Sequence, residues 1–311
     1  MKRAFLIIQG QGNGHLTQAI SFCQQNNIVP KYVVFTEINN INANILEQFN
    51  WPYIGYVDTP KLVLENGKIS IIKTVLNNYN NIPKYIKAYS KLNRWLKSID
   101  DYDILINFYE PINNLIRVKD KPRITVSNQF LISTNDWQKP KLNINYVFIR
   151  LWNNLFYRQS DILYVPSFIK TKDYGKFRFI APLIPNRLIS SSIYNNYHYL
   201  IYLSGDQFKD DILNLVSKHP NKKFIWYVNN LFEHKHRNLI LKNVGDNNFE
   251  RDMLTCDTII TTAGYQMISE ALYLGKKIYV IPLHYEQLTN AINLEYHSLG
   301  HFIKDTSNFK F

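Results

Sequence analysis

Two stretches combine residue types and spacings that suit chemistry. The first is FLIIQGQGNGHLTQAI, residues 5–20, where Gly10, Gly12 and Gly14 alternate and His15 follows directly. Glycines after an apolar run permit a tight turn and let a ligand approach the backbone closely. A helix starting at His15 or Leu16 aims its free N–H groups and positive dipole end at whatever the turn holds. His15 then sits where a proton acceptor would sit; the alternative is a structural histidine. The second stretch is TIITTAGYQMISEALYLGKKIYVIPLHYEQLTNAINLE, residues 258–295. A strand ends at Thr261 and Thr262, and Ala263–Gly264 make a small-residue turn before a helix. The backbone N–H groups of residues 264–266 suit a diphosphate. Glu270, inside that helix, can accept both hydroxyls of a ribose. Glu286 and Gln287 follow the next strand end and can bond sugar hydroxyls.

Elements that alternate must position these residues. Strands are expected at Ala4–Gln9, Tyr32–Thr36, Tyr53–Val57, Ile104–Phe108, Ile124–Ser127 and Ile162–Val165. A second series runs Tyr199–Leu203, Phe224–Val228, Leu239–Lys242, Thr258–Thr261 and Lys277–Ile281. Helical patterns lie between most of them, at Leu16–Gln25, Asn42–Phe49, Asp210–Lys218, Gln266–Leu274 and Thr289–Tyr296. Strand–helix alternation at this spacing predicts parallel sheets with helices on both faces. The pattern occurs twice, with a polar break near residues 190–199. The expected organisation is an α/β protein of two doubly wound domains, 1–192 and 193–311, facing a cleft.

Two segments depart from simple alternation. In residues 73–97, Val75, Tyr79, Ile82, Ile86, Tyr89 and Leu92 follow helical spacing, interspersed with Lys84, Lys87, Lys91, Arg94 and Lys97, and Pro83 should start or kink the second part. Residues 139–187 carry nine Lys and Arg against two Asp. Each segment reads as a core helix with a solvated basic face, or as a docking surface for a membrane or polyanion.

Charge divides the same way. Residues 1–195 hold 24 Lys+Arg against 12 Asp+Glu, and residues 196–311 hold 12 of each, so the net +12 sits in the first part. That points to an anionic partner, although mutation bias toward Lys, Asn, Ile and Tyr is the bland alternative. Two distant cysteines, Cys23 and Cys256, offer no disulfide framework or metal pattern and fit a reducing cytosol. No apolar run approaches the roughly 18 residues of a membrane span. Asp101-Tyr102-Asp103 reads as a helix-to-strand turn, and Glu233–Arg237 as a solvated loop, so no metal is expected.

Residues 258–295 resemble the donor-site signature of GT-B glycosyltransferases, in the branch with the MurG-type and UDP-glycosyltransferase enzymes. GQGNGH (10–15), NFYEP (107–111), TVSNQ (125–129) and YLIYLSGD (199–206) resemble further segments of that superfamily, including an uncharacterised bacterial and archaeal subgroup. The resemblance covers residues 1 to about 303. It implies a GT-B fold of two Rossmann-like domains and a metal-independent hexosyltransferase using a nucleotide diphosphate sugar, UDP-linked, with no cofactor. Gly264, Tyr265 and Gln266 would hold the diphosphate, with the Ser204–Gly205 loop opposite and Thr262 also in the donor-binding set. Glu270 would hold the ribose, Val244 and Gly245 the uracil, and Glu286, Gln287 and Asn290 the donor sugar. His15 would be the general base of an inverting transfer, with Glu110 either its orienting carboxylate or a turn residue. Gly10, Gly12, Asn13, Gly14, Asn128 and Gln129 would line the acceptor side. A lipid-linked or cell-envelope acceptor at the cytoplasmic face of an anionic membrane is favoured. A DNA-base glucosyltransferase, an inactive nucleotide-sugar binder and an epimerase are the alternatives.

Overall fold

Apolar runs too short for helices and without polar alternation form strands covered on both faces. Phe5, Leu6, Ile7 and Ile8 in the first strand are all fully buried. In the computed structural model, described for all residues except 11–13, 37–48, 66–67, 112–117, 119, 142–143, 158, 192–197, 205 and 305–311, these runs build two parallel sheets. The expected Asn42–Phe49 helix lies, apart from Phe49, outside the described residues.

The chain divides into two units, one comprising Met1–Trp137 and Lys141–Asn186, the other Gln138–Pro140 and Arg187–Phe311. In the first, strands β1 (Lys2–Ile8), β2 (Ile28–Phe35) and β3 (Tyr53–Tyr56) are followed by a small hairpin of β4 (Leu64–Glu65) and β5 (Lys68–Ile69). Then come β6 (Ile104–Phe108), β7 (Arg123–Val126), β8 (Ile162–Pro166) and β9 (Phe177–Ile180). The large sheet has the order β3-β2-β1-β6-β7-β8-β9, every pairing parallel. The second unit contains β10 (His198–Tyr202), β11 (Lys223–Val228), β12 (Leu239–Asn243), β13 (Thr258–Thr261), β14 (Lys277–Val280) and β15 (His301–Phe302). They pair in parallel in the order β12-β11-β10-β13-β14-β15. The chain reverses direction across each sheet at one point, β1/β6 in the first and β10/β13 in the second. Such switch points open a crevice beyond the carboxyl ends of the strands, where α/β sheets bind ligands.

The cores follow from this layering. Leu16, Ala19, Ile20 and Cys23 of the Gly14–Gln25 helix pack on one face of the first sheet with Val33, Phe35, Ile106 and Phe108. On the other face, Phe5, Ile7, Val34 and Leu105 meet Ala88, Leu92 and Leu96 of the Ile82–Ser98 helix. The 73–97 segment is two helices, Ile71–Asn80 and Ile82–Ser98, with a proline in the first turn of the second. Reading its apolar stripe as core is corrected. Of the six residues expected there, only Leu92 is buried, while Tyr79 is 71% and Ile86 61% exposed. The buried residues of the second helix are Ala88, Leu92 and Leu96, one turn apart, so of the stripe only Leu92 lies on the inward face.

Gly55 shows how closely the Ile82–Ser98 helix approaches the sheet edge. It sits at φ +150°, and a Cβ there would lie 2.8 Å from Cη2 of Trp95. Gly55→Ala is expected to destabilise the chain by about 1–3 kcal/mol, through overpacking and backbone strain. Urea denaturation at constant m-value reads this directly.

Candidate active site

His15 is the second residue of the helix that follows β1, and Tyr109–Glu110 follow β6, so the β1/β6 switch point brings them together. The imidazole is half-buried and stacks on the Tyr109 ring, with centroids 5.2 Å apart and planes 18° from parallel. Its Nδ1 is buried without a hydrogen-bond partner among the described residues. Burial alone pushes the His15 pKa down to about 4. The side chain is therefore neutral near pH 7, as a proton acceptor must be.

Glu110 is fully buried. Its Oε1 accepts from Thr59 Oγ1 at 3.2 Å. Its backbone N–H donates to Asn107 Oδ1 at 2.7 Å, and Asn107 Nδ2 donates back to the Glu110 carbonyl at 3.0 Å. These bonds make Glu110 part of a side-chain-closed turn, and the contact that His15 makes is with the residue before it. A chain of buried amides continues across the strand ends. Gln18 Nε2 donates to Asn128 Oδ1 at 2.9 Å, one turn along from His15. Ser127 Oγ accepts from Gln129 N–H, and Asn153 Nδ2 donates to the Gln129 carbonyl at 2.8 Å. Gly10 N–H reaches Thr36 Oγ1 at 3.4 Å, and Gly14 opens the helix. Gly12 and Asn13 lie outside the described residues.

The second switch point holds the other set. Ser204, beyond β10, and Thr262, beyond β13, approach to 3.3 Å between hydroxyl oxygens. Gly264 caps the Tyr265–Tyr273 helix with no side-chain capping bond, so the first-turn N–H groups are offered at the strand ends. Asn290 Nδ2 donates to the Ala263 carbonyl at 2.9 Å, and Gln287 Oε1 accepts from Leu283 N–H at 2.8 Å. Both side chains hold turns that border this point. Glu286 lies in the first turn of the Tyr285–Tyr296 helix. Val244 is partly exposed just past β12, and Gly245 follows at φ +95°. Gly205 lies outside the described residues.

Glu270 is buried, and Gln266 Nε2 donates to its Oε1 at 2.8 Å. Burial raises the Glu270 pKa, opposed first by the Gln266 bond and then by the positive charge of Arg187. Arg187 is itself paired with Glu250 at 2.6 Å. Burial also raises the pKa of Tyr202, at the end of β10, with Glu270 as the next cause. Sequence reasoning missed Arg187, Tyr202 and Tyr109, because their neighbours are distant in sequence and only strand order brings them close. Tyr109 and Tyr202 left a trace, within the NFYEP and YLIYLSGD segments.

Asp101 and Asp103 lie at the opposite strand ends, bonded to Tyr32 and Arg3. Among the described residues no group of three or more His, Cys, Asp or Glu could hold a metal ion.

Solved structures share this architecture. One is Phytolacca americana UGT2 complexed with UDP-2fluoro-glucose and pterostilbene, with a TM-score of 0.70 at 12% identity, covering 97% of this chain and 85% of that one. Another is Acinetobacter baumannii MurG, at 0.58 and 13%, covering 100% and 88%. A third is the spinosyn rhamnosyltransferase SpnG, at 0.61 and 12%, covering 99% and 88%. No curated protein matches the sequence. The fold is that of the GT-B glycosyltransferases, two doubly wound parallel-sheet domains. The model of glycosyl transferase family 1 matches residues 8–310, and the chain belongs to that family.

Proposed function

We propose that the chain moves a hexose from a UDP-linked sugar to an acceptor hydroxyl, with inversion. The observation that carries this reading is the buried Glu270 carboxylate, in the uncapped helix that starts at the β13 strand end. A carboxylate there suits the two hydroxyls of a ribose, while the helix N-terminus suits the diphosphate. His15 takes the acceptor proton as the acceptor oxygen attacks the anomeric carbon. The bond from that carbon to the β-phosphate oxygen breaks, and UDP departs. N–H groups of the 264–266 turn offset the charge on the leaving diphosphate, so turnover needs no metal ion. UDP release from UDP-glucose and UDP-N-acetylglucosamine, with and without EDTA, tests this. Equal rates with the chelator support it, and release from neither donor contradicts it.

The acceptor we favour is lipid-linked, at the cytoplasmic face of an anionic membrane. No helix among the described residues is long and apolar enough to cross a membrane. The support is the exposed stripe of Ile72, Val75, Leu76, Tyr79 and Ile86, interleaved with Lys73, Lys84 and Lys87. Apolar side chains beside lysines suit the interface of an anionic bilayer, where each cation contributes about 1 kcal/mol. Flotation with phosphatidylglycerol vesicles is expected to capture the chain at low salt. Capture should fall severalfold with Tyr79→Ser plus Ile86→Ser. Steeply salt-dependent binding to duplex DNA, with no vesicle binding, would instead favour the DNA-glucosyltransferase alternative.

A further inference from the structure

Five non-glycine residues among the described ones have positive φ. Asn27, Asn50, Asp120 and Ser298 carry small polar side chains, which suit turns. The fifth is Tyr109, at φ 61°, a conformation that bulky residues rarely adopt. Such a residue persists where its surroundings over-determine it, and these outliers cluster at functional sites. Here the surroundings are specific. The Asn107 side chain closes the turn from both sides of Glu110. The Tyr109 hydroxyl donates to Asn153 Oδ1 at 2.8 Å. Asn153, fully buried, is held in turn by the Gln129 carbonyl. The outcome is one buried ring lying nearly parallel to His15.

We propose that Tyr109 is the positioning residue for His15: its ring sets the plane of the imidazole, and Asn107 and Asn153 hold Tyr109 in its left-handed conformation. The proposal rests on reading His15 as the base. A ring does this differently from a carboxylate. It restricts rotation and excludes water from one imidazole face. It adds no negative charge, so no ion pair stabilises the protonated form. Burial is accordingly the sole cause of the low His15 pKa, with no contribution from Glu110, whose carboxylate bonds Thr59.

NMR titration of the full chain, labelled with ¹³C at the histidine rings, tests the idea without an acceptor. His15→Gln identifies the His15 signal among the eight histidines. The wild-type signal is expected to show a ring-current shift and to titrate at about 4. Tyr109→Phe keeps the ring and should keep both properties. Tyr109→Leu should abolish the ring-current shift and move the midpoint toward 6.5. Asn153→Ala leaves both rings present and releases the hydroxyl, so it should move both readouts the same way by less. An unchanged His15 signal in folded Tyr109→Leu or Asn153→Ala overturns the proposal. Should His15→Gln keep full UDP release with an acceptor, the base reading fails instead, and the titration result still stands.

Discussion

Replacing His15 with glutamine is expected to lower kcat for sugar transfer about 10²–10⁴-fold, the usual contribution of a positioned general base. UDP binding should be unchanged, because His15 belongs to the first unit and the residues proposed to bind the donor to the second. The wild-type pH profile should carry the signature of a buried imidazole. With its pKa pushed down to about 4, His15 stays deprotonated well below the ordinary histidine range. The His15-dependent part of kcat/KM should hold level from pH 8 to about 5 and fall only nearer 4. An unperturbed imidazole would instead lose activity near 6.5. Stability runs with the same sign. Between about 4 and 6.5 the unfolded chain binds a proton at this position that the folded chain does not. The contribution of His15 is therefore present above 6.5 and lost as pH falls toward 4. His15→Gln should blunt that acid sensitivity, seen as a smaller drop in the urea midpoint between pH 7 and pH 5.

Glu270→Ala is expected to weaken UDP binding about 10- to 150-fold, the effect of losing hydrogen bonds to a charged acceptor at about 1.5–3 kcal/mol. Glu270→Gln separates affinity from stability. Burial raises the Glu270 pKa, so ionising the carboxyl costs more in the folded chain than in the unfolded one. The neutral amide removes that cost, and its oxygen can still accept from Gln266. The ligand-free Glu270→Gln chain should melt higher than wild type while losing most of the UDP-induced shift. The same raised pKa makes UDP affinity fall with acid earlier than an ordinary glutamate would. Titration calorimetry at pH 5 and pH 7.5 reads that difference, which Glu270→Gln should abolish.

Legibility in the sequence followed the physics of each element. Ile104–Phe108 and Thr258–Thr261 match their expected bounds, because short runs rich in β-branched and apolar residues between polar turns suit a strand buried on both faces. The turn at Gly264 and the placement of Glu270 were equally readable, since strand, turn and helix are contiguous there. β9 escaped notice because Phe177–Ile180 is an edge strand interrupted by Arg178, and β15 because two residues carry no period. The Phe249–Thr255 helix presents a mostly polar sequence, and tertiary packing of Met253 stabilises it. The stripe at residues 73–97 has true helical periodicity. Periodicity identifies an apolar face, and whether protein or something else covers that face is decided by the other elements. Likewise His15 was legible as a residue, whereas its stacking partner depends on β6 lying beside β1.

On the proposed reading, the second unit holds a uridine diphosphate at the β10/β13 switch point. The most direct measurement is the thermal stability of the full chain, without added metal, against UDP, GDP and dTDP and their common sugar derivatives. UDP and UDP-sugars at about 100 Kd are expected to raise Tm by roughly 5 °C, GDP and dTDP by much less, and Glu270→Ala should cut the UDP shift to about half or less. A shift with none of them, or an equal UDP shift in Glu270→Ala, would contradict it.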